Sequence, residues 1–121
     1  MVKVVLCVDD SASIRQMVKL TLSSNGYDVH EACDGRDALT KAGAKSYDMV
    51  LTDLNMPNMD GLALINELRK MATYKGVPII FLTTESDESK KAEAKKSGAT
   101  AWITKPFKQD QLLAVVKKVL G

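Results

Sequence analysis

The chain has 121 residues, the length of one domain, and its 45% hydrophobic and 26% charged residues are typical of a soluble globular protein. The formal net charge of +2 predicts neither a nucleic-acid partner nor a membrane partner. No apolar run approaches the roughly 20 residues that span a bilayer, and the N-terminus reaches acidic residues too early for a signal peptide. We therefore expect a cytoplasmic protein.

Short apolar runs alternate with helix-like stretches along the whole chain. The first helix is predicted to begin at Ser13, which forms a capping box with Gln16, and to end before Asn25-Gly26. The predicted strands are residues 4–8, 28–32, 49–53, 78–83 and 101–104, and the predicted helices are residues 13–24, 36–44, 61–71, 87–97 and 109–120. Five β-α units in this order predict an α/β fold, in which a five-stranded parallel sheet carries helices on both faces.

Two cysteines, Cys7 and Cys33, fall in apolar runs that read as strands. We expect both to be small buried hydrophobic side chains in a reducing compartment, and not a disulfide or a metal pair.

Polar residues follow four of the five predicted strands, and ligands of parallel sheets bind at the carboxyl ends of the strands. These residues are Asp9-Asp10, Asp53, Thr83-Thr84 and Thr104-Lys105-Pro106. Clustered carboxylates repel one another unless a cation joins them, and oxygen ligands without His or Cys favour a hard cation such as Mg²⁺. Lysine and threonine beside such a site suit a phosphoryl group, and a carboxylate can accept that group covalently.

Each of these residues, taken singly, also has an ordinary structural explanation. Asp9-Asp10 could cap a helix, Asp53 could cap a loop, Thr83 favours a strand and Lys105 suits the surface. Their joint occurrence at consecutive strand ends favours the phosphoryl site.

Four segments, VVLCVDDS, MVLTDLNMPNMDGL, PIIFLTTES and ITKPF, resemble in order and spacing the receiver domain of bacterial two-component systems. The resemblance runs from end to end and is strongest to the stand-alone members that act in chemotaxis. It implies a flavodoxin-like (βα)5 receiver fold over residues 1–121, as a single receiver domain with no output domain.

The same resemblance implies the chemistry of the site. Asp53 is expected to be the phosphoacceptor. Asp10 and Asp53, with the backbone carbonyl of Asn55, are expected to bind Mg²⁺ directly, and Asp9 to act mostly through a metal-bound water. We expect a phosphoacceptor switch that catalyses only its own phosphorylation and dephosphorylation, and not an enzyme.

Further residues take switching roles by the same resemblance. Thr83 is the expected switch hydroxyl, and Lys105 is expected to pair with the phosphoryl group, with a cis bond before Pro106. Trp102 holds the place of a switch aromatic that is more often Tyr or Phe. Asn55 and Glu85 occupy the two positions that modulate self-dephosphorylation, and we expect a phosphoryl group that lasts seconds to minutes.

The resemblance also implies partners. We expect a histidine kinase as donor, with the chemotaxis kinase favoured, a possible phosphatase, and a downstream target on the face made by helix 4, strand 5 and helix 5. The flagellar switch is one candidate for that target. The predicted fourth helix is rich in lysine, which is either a solvated face or a basic docking face for an acidic partner.

Other functions remain open at this stage. A non-motility receiver that acts as a relay intermediate or phosphate sink has the same motifs. A haloacid-type phosphatase would have Asp-x-Asp after its first strand, and a flavin binder would have a phosphate-cradling loop there, where this chain has Asp9-Asp10. Steady turnover of a phosphate ester would favour the phosphatase, and a yellow purified protein would favour the flavin binder.

Overall fold

Five parallel strands form one sheet in the order β2-β1-β3-β4-β5. The protein was analysed as a computed structural model that describes residues 2–84 and 88–120. The strands are β1 Val4–Val8, β2 Asp28–Ala32, β3 Met49–Thr52, β4 Ile79–Thr83 and β5 Ala101–Thr104. Because β1 pairs with both β2 and β3, the strand order reverses beside β1, which is where ligands of such sheets bind.

The three central strands are buried, as their continuous runs of apolar residues predict. Their register aligns Val8 of β1 with Thr52 of β3, and Thr83 of β4 with Thr104 of β5. The residues that follow these strands therefore meet along one edge of the sheet.

Helices cover both faces of the sheet, which confirms the predicted fold class. They are α1 Ala12–Ser23, α2 Gly35–Ala44, α3 Gly61–Lys70, α4 Glu88–Lys96 and α5 Gln109–Leu120. The buried side chains of α1 and α5 belong to one hydrophobic cluster, and those of α2, α3 and α4 belong to the other. No helix in residues 2–84 and 88–120 is long and apolar enough to cross a membrane.

Helix α4 is the least anchored of the five. Its buried residue is Ala94, whereas α3 buries Leu64, Ile65 and Leu68. Since a fully buried leucine or isoleucine contributes roughly 1.5–3 kcal/mol, burial holds α4 to the sheet far less tightly than α3.

The start of α1 differs from the prediction. Ser11, and not Ser13, is the N-cap: its backbone is extended, and its Oγ accepts the N–H of Ile14 at 3.3 Å. The helix therefore begins at Ala12, one residue nearer the site, because the tight turn after Asp9 brings Ser11 into the capping position.

Cys33 is exposed, so the prediction that both cysteines are buried was wrong for this residue and correct for Cys7. Strand β2 ends at Ala32, and the Cys33 N–H donates to Oδ2 of Asp37 in α2 at 3.0 Å. A turn of 3₁₀ helix, Ala72–Tyr74, follows α3 and was not predicted.

Candidate functional site

Three carboxylates meet at the carboxyl edge of the sheet. Asp9 and Asp10 follow β1, and Asp53 follows β3. Each offers an oxygen that lies within 4.8 Å of those offered by the other two. Asp53 is brought level with β1 because its N–H donates to the carbonyl of Val8 at 2.9 Å.

Asp9 is the most enclosed of the three, with 2% of its surface exposed. Its Oδ1 accepts the N–H of Ser11 at 2.9 Å, and its Oδ2 accepts the ammonium of Lys105 at 2.6 Å. These bonds satisfy a buried charge that would otherwise be costly.

Lys105 bridges two of the carboxylates. Its Nζ lies 2.6 Å from Oδ2 of Asp9 and 3.4 Å from Oδ2 of Asp53. Its backbone N–H donates to the carbonyl of Thr83 at 2.8 Å. The end of β4 therefore holds the backbone of Lys105 in place beside the site. The Lys105-Pro106 bond is cis, as the sequence led us to expect.

One oxygen of Asp53 is fixed by a backbone hydrogen bond, and its side chain is partly exposed. Its Oδ1 accepts the N–H of Leu54 at 2.7 Å, while Oδ2 faces Lys105. Its side chain retains 13% of its exposure, and Asp10 and Asn55 are exposed beside it. The carboxylate of Asp53 therefore keeps some contact with solvent.

The chemistry of this donor set fits a hard divalent cation. The three clustered side chains offer only carboxylate oxygens, which Mg²⁺ prefers to nitrogen or sulfur ligands. One ammonium offsets part of their charge, so a further cation is still favoured there. The cluster could therefore hold a metal ion.

Thr83 and Trp102 lie behind this edge. Thr83 is fully buried at the end of β4. Trp102 is partly buried; its ring lies 5.7 Å from the Phe81 ring, and the Lys91 Nζ lies 5.7 Å from its centroid. Within the described part of the chain, the buried Nε1 of Trp102 has no hydrogen-bond partner. Glu85, a predicted site residue, lies outside the described residues.

Gly61 is a site residue that the sequence reading missed. A Cβ on Gly61 would lie 2.4 Å from the carbonyl oxygen of Asp53 and 2.5 Å from the Phe81 ring. Its N–H donates to the carbonyl of Leu54 at 2.8 Å, which closes the loop after β3. In the sequence, Gly61 stood out only as the first residue of the predicted helix 61–71, and the Asp60-Gly61 pair after the third strand was the available signal.

A second tether holds the same loop to α2. Asn58 has a φ of 67°, in the left-handed region, and its Nδ2 donates to Oδ2 of Asp34 at 2.7 Å. Asp34 also caps α2 by accepting the N–H of Asp37. Asn58 and Asp34 are 24 residues apart in the chain, so no local sequence pattern predicted their hydrogen bond.

Comparison with known proteins agrees with this architecture. A family model described as response regulator receiver domain matches residues 5–117. The transcriptional regulatory protein SrrA of Staphylococcus aureus is 36% identical over 116 residues, which are 96% of this chain and 47% of SrrA. The chain thus spans about half the length of the curated relatives it matches.

Solved structures give the same result. The chemotaxis response regulator CheY4 of Vibrio cholerae is 47% identical with a TM-score of 0.95, over 99% of this chain and 100% of that chain. The receiver domain of a signal transduction histidine kinase from Syntrophus aciditrophicus is 32% identical with a TM-score of 0.90, over 98% and 89%. The chain belongs to the response regulator receiver domain family.

Proposed function

We propose that this receiver accepts a phosphoryl group from the phosphohistidine of a histidine kinase onto Asp53, in a reaction that depends on Mg²⁺. The observation that carries the proposal is the meeting of three carboxylates within 4.8 Å, with the Lys105 ammonium between two of them. Phosphoryl transfer needs mainly positioning and charge neutralisation, and this arrangement supplies both.

The step exchanges one bond for another. A carboxylate oxygen of Asp53 attacks phosphorus, the O–P bond forms, the N–P bond to the donor histidine breaks, and the electron pair stays on the imidazole. The Leu54 N–H holds Oδ1 of Asp53, which leaves Oδ2 toward the incoming group. Lys105 lies within reach of a phosphoryl oxygen on Asp53.

We assign Asp10, Asp53 and the backbone carbonyl of Asn55 as the direct metal ligands, and Asp9 as a residue of the metal site that would act mostly through a metal-bound water. When bound, Mg²⁺ supplies positive charge to the phosphoryl oxygens. Lys105 already pairs with Asp9, and this ammonium lowers the repulsion that three carboxylates would otherwise suffer.

The proposed output is a shift between two conformations. A phosphoryl group on Asp53 attracts the Thr83 hydroxyl and the Lys105 ammonium, and because β4 and β5 are paired, both strand ends move together. Trp102 lies on β5. Within residues 2–84 and 88–120 its buried Nε1–H has no hydrogen-bond partner, which gives its present position a cost that a move can relieve. The weakly anchored α4 follows.

This shift would change a face made by α4, β5 and α5. A cavity of about 290 Å³ lies there, between Lys91 and Lys95 of α4 and Trp102 of β5. Two ammonium groups around an apolar floor suit an acidic partner segment with a hydrophobic side chain. We propose this face as the docking site of the downstream target.

The lifetime of the phosphoryl group is proposed to be short. Asn55 is exposed two residues after Asp53, where its amide can orient an attacking water. We assign the same modulating role to Glu85, two residues after Thr83. A phosphatase can further accelerate the loss of the phosphoryl group. A phosphoform that persists for hours would contradict this assignment.

We propose chemotaxis as the pathway, with the chemotaxis kinase as donor and the flagellar switch as a candidate target. The support is the match of 47% identity with a chemotaxis response regulator, over all of that chain. The same match supports residues 1–121 acting as a single receiver domain, and two free thiols suit the cytoplasm.

A non-motility role is the second candidate. SrrA is a transcriptional regulatory protein, and another similar structure is the receiver domain of a histidine kinase. Relay or phosphate-sink action therefore remains open for a chain with this site.

The test is a phosphotransfer profile. Wild type, Asp53→Asn and the surface control Asp110→Asn are each offered, with Mg²⁺, to every phosphorylated histidine kinase of the source organism. We expect rapid transfer to wild type and Asp110→Asn, none to Asp53→Asn, and preference for the chemoreceptor-coupled kinase. Preference for another kinase would remove chemotaxis and keep the receiver chemistry, whereas transfer to none, or steady turnover of a phosphate ester, would overturn the proposal.

A further inference from the structure

Arg15, on the first turns of α1, connects the carboxylate site to strand β2. Its Nη1 donates to the backbone carbonyl of Asp9 at 2.6 Å, and its Nε donates to Oε1 of Glu31 at 3.1 Å. The Arg15 side chain is 18% exposed, so the contact is largely sheltered from water. A planar guanidinium suits this role because one fork can serve two acceptors at once.

The Asp9 carbonyl belongs to the peptide that joins Asp9 to Asp10. The Asp9 N–H donates to Ala32 of β2 at 3.1 Å, so both backbone groups of Asp9 are bonded toward the β2 side. Asp10 is exposed, and packing therefore does little to hold its carboxylate. The 9–10 peptide carries the backbone N–H of Asp10, so its orientation contributes to where that carboxylate lies.

We propose that Arg15, held by Glu31, is a positioning residue for the divalent cation: it fixes the 9–10 peptide so that the carboxylates of Asp9 and Asp10 converge with that of Asp53. This inference rests on the proposed function, because it concerns the same metal site. Arg15 contacts the backbone of Asp9 and would not itself be a metal ligand.

The charges make this proposal distinguishable from a simple electrostatic effect. Arg15 and Glu31 form an ion pair, so together they add no net charge to the site. Replacing Arg15 by a neutral residue removes one positive charge near the site and leaves Glu31 with Lys19 as a cationic partner; by Coulomb attraction alone this would tighten cation binding. A positioning role predicts the opposite direction.

The experiment is calorimetric titration of the full chain with MgCl₂ at constant ionic strength, for wild type, Arg15→Met, Glu31→Gln and the control Lys19→Met. Lys19 makes the same charge change on the same helix: its Nζ lies 3.8 Å from Oε2 of Glu31, and its side chain is 53% exposed. We expect Arg15→Met to weaken Mg²⁺ binding by about tenfold, Glu31→Gln to weaken it in the same direction, and Lys19→Met to leave it unchanged or slightly tighter.

Urea unfolding in EDTA accompanies the titrations, because a loss of stability alone moves the urea midpoint without moving the affinity of the folded chain. Arg15→Met with wild-type or tighter Mg²⁺ binding would overturn the inference, and if that variant does not fold, unchanged binding by Glu31→Gln would overturn it instead. Absence of Mg²⁺ binding by wild type would overturn the proposed metal site itself, so the two failures are separate.

Discussion

Replacing Gly61 by alanine tests how tightly the loop after β3 holds the acceptor. The added Cβ would lie 2.4 Å from the carbonyl oxygen of Asp53, 2.5 Å from Cε1 of Phe81 and 3.0 Å from Cα of Leu54. Two of these three atoms are backbone, and the third belongs to a ring in a closely packed core. No side-chain rotation relieves the clash, so the loop or the strand has to move.

The shift needed is more than half an ångström, since real Cβ atoms do not approach heavy atoms closer than 3.0 Å. Overpacking of this kind costs about 1–3 kcal/mol. With a urea dependence of about 1–3 kcal/mol per molar for a small domain, the unfolding midpoint should fall by roughly 1 M. Because the nearest atom belongs to Asp53 itself, the rate of Asp53 phosphorylation should fall as well. A displacement of a reacting group on the order of 1 Å can lower a reaction rate roughly 100-fold.

The control is Gly43→Ala in the exposed part of α2, where an added Cβ meets nothing within 4 Å. Alanine should stabilise that helix by up to about 1 kcal/mol and leave phosphorylation unchanged. Urea unfolding followed by Trp102 fluorescence measures both variants. A Gly61→Ala protein with the wild-type midpoint and phosphorylation rate would refute the close-approach argument.

Three further predictions concern other parts of the fold. In the native protein, a thiol reagent should label exposed Cys33 and spare Cys7, as measured by mass spectrometry. Cys7 is 1% exposed, and burial, together with the negative charge of Asp9, raises its pKa to about 12. Equal labelling rates of the two thiols would contradict the burial of Cys7. Asn58→Gly and Asn58→Val both lose the hydrogen bond to Asp34, so their difference in urea unfolding isolates the backbone effect. Asn58→Val should be less stable than Asn58→Gly by about 1–2 kcal/mol, because a β-branched residue resists a φ of 67°; equal stability of the two variants would argue against the left-handed loop. The N–H of Asp37 and the amide of Asn58 hold the pKa of Asp34 below its usual value. The Asp34 carboxylate therefore stabilises the fold above the pKa of the unfolded chain, and this stabilisation is lost as pH falls through the lowered pKa. The difference in unfolding free energy between wild type and Asp34→Asn should therefore be larger at pH 7 than in acid, and a difference independent of pH would count against this linkage.

The sequence was sufficient for the architecture because its signals are local. Continuous apolar runs marked the buried strands, helical spacing marked the helices, and alternation of the two implied a parallel sheet. Strand β5 and helix α5 have the predicted bounds, and β2 does as well. The unpredicted start of α1 at Ala12 shows the limit of the local signal, since two nearby serines both suit an N-cap and the turn after Asp9 selects between them.

The sequence also placed Asp9, Asp10, Asp53, Thr83 and Lys105 at or just after the ends of predicted strands, and therefore at one edge of the sheet. What it left open is every contact between residues far apart in the chain. Strand register set the 2.6 Å pairing of Lys105 with Asp9, which are 96 residues apart. The lack of space at Gly61 and the exposure of Cys33 depend on neighbours that only the folded chain supplies.

Composition and periodicity thus determined the kinds of element, their order and the residue types at the strand ends, since these depend on short-range sterics and on which side chains leave water. The tertiary structure alone decided the distances within the site and the tethers of its loops. The guanidinium of Arg15 illustrates this division: its position on a helix is readable from the sequence, but its bond to Glu31 of β2, 16 residues away, arises only when α1 packs beside β2. Such a bond depends on the packing of whole elements, to which no short sequence pattern corresponds.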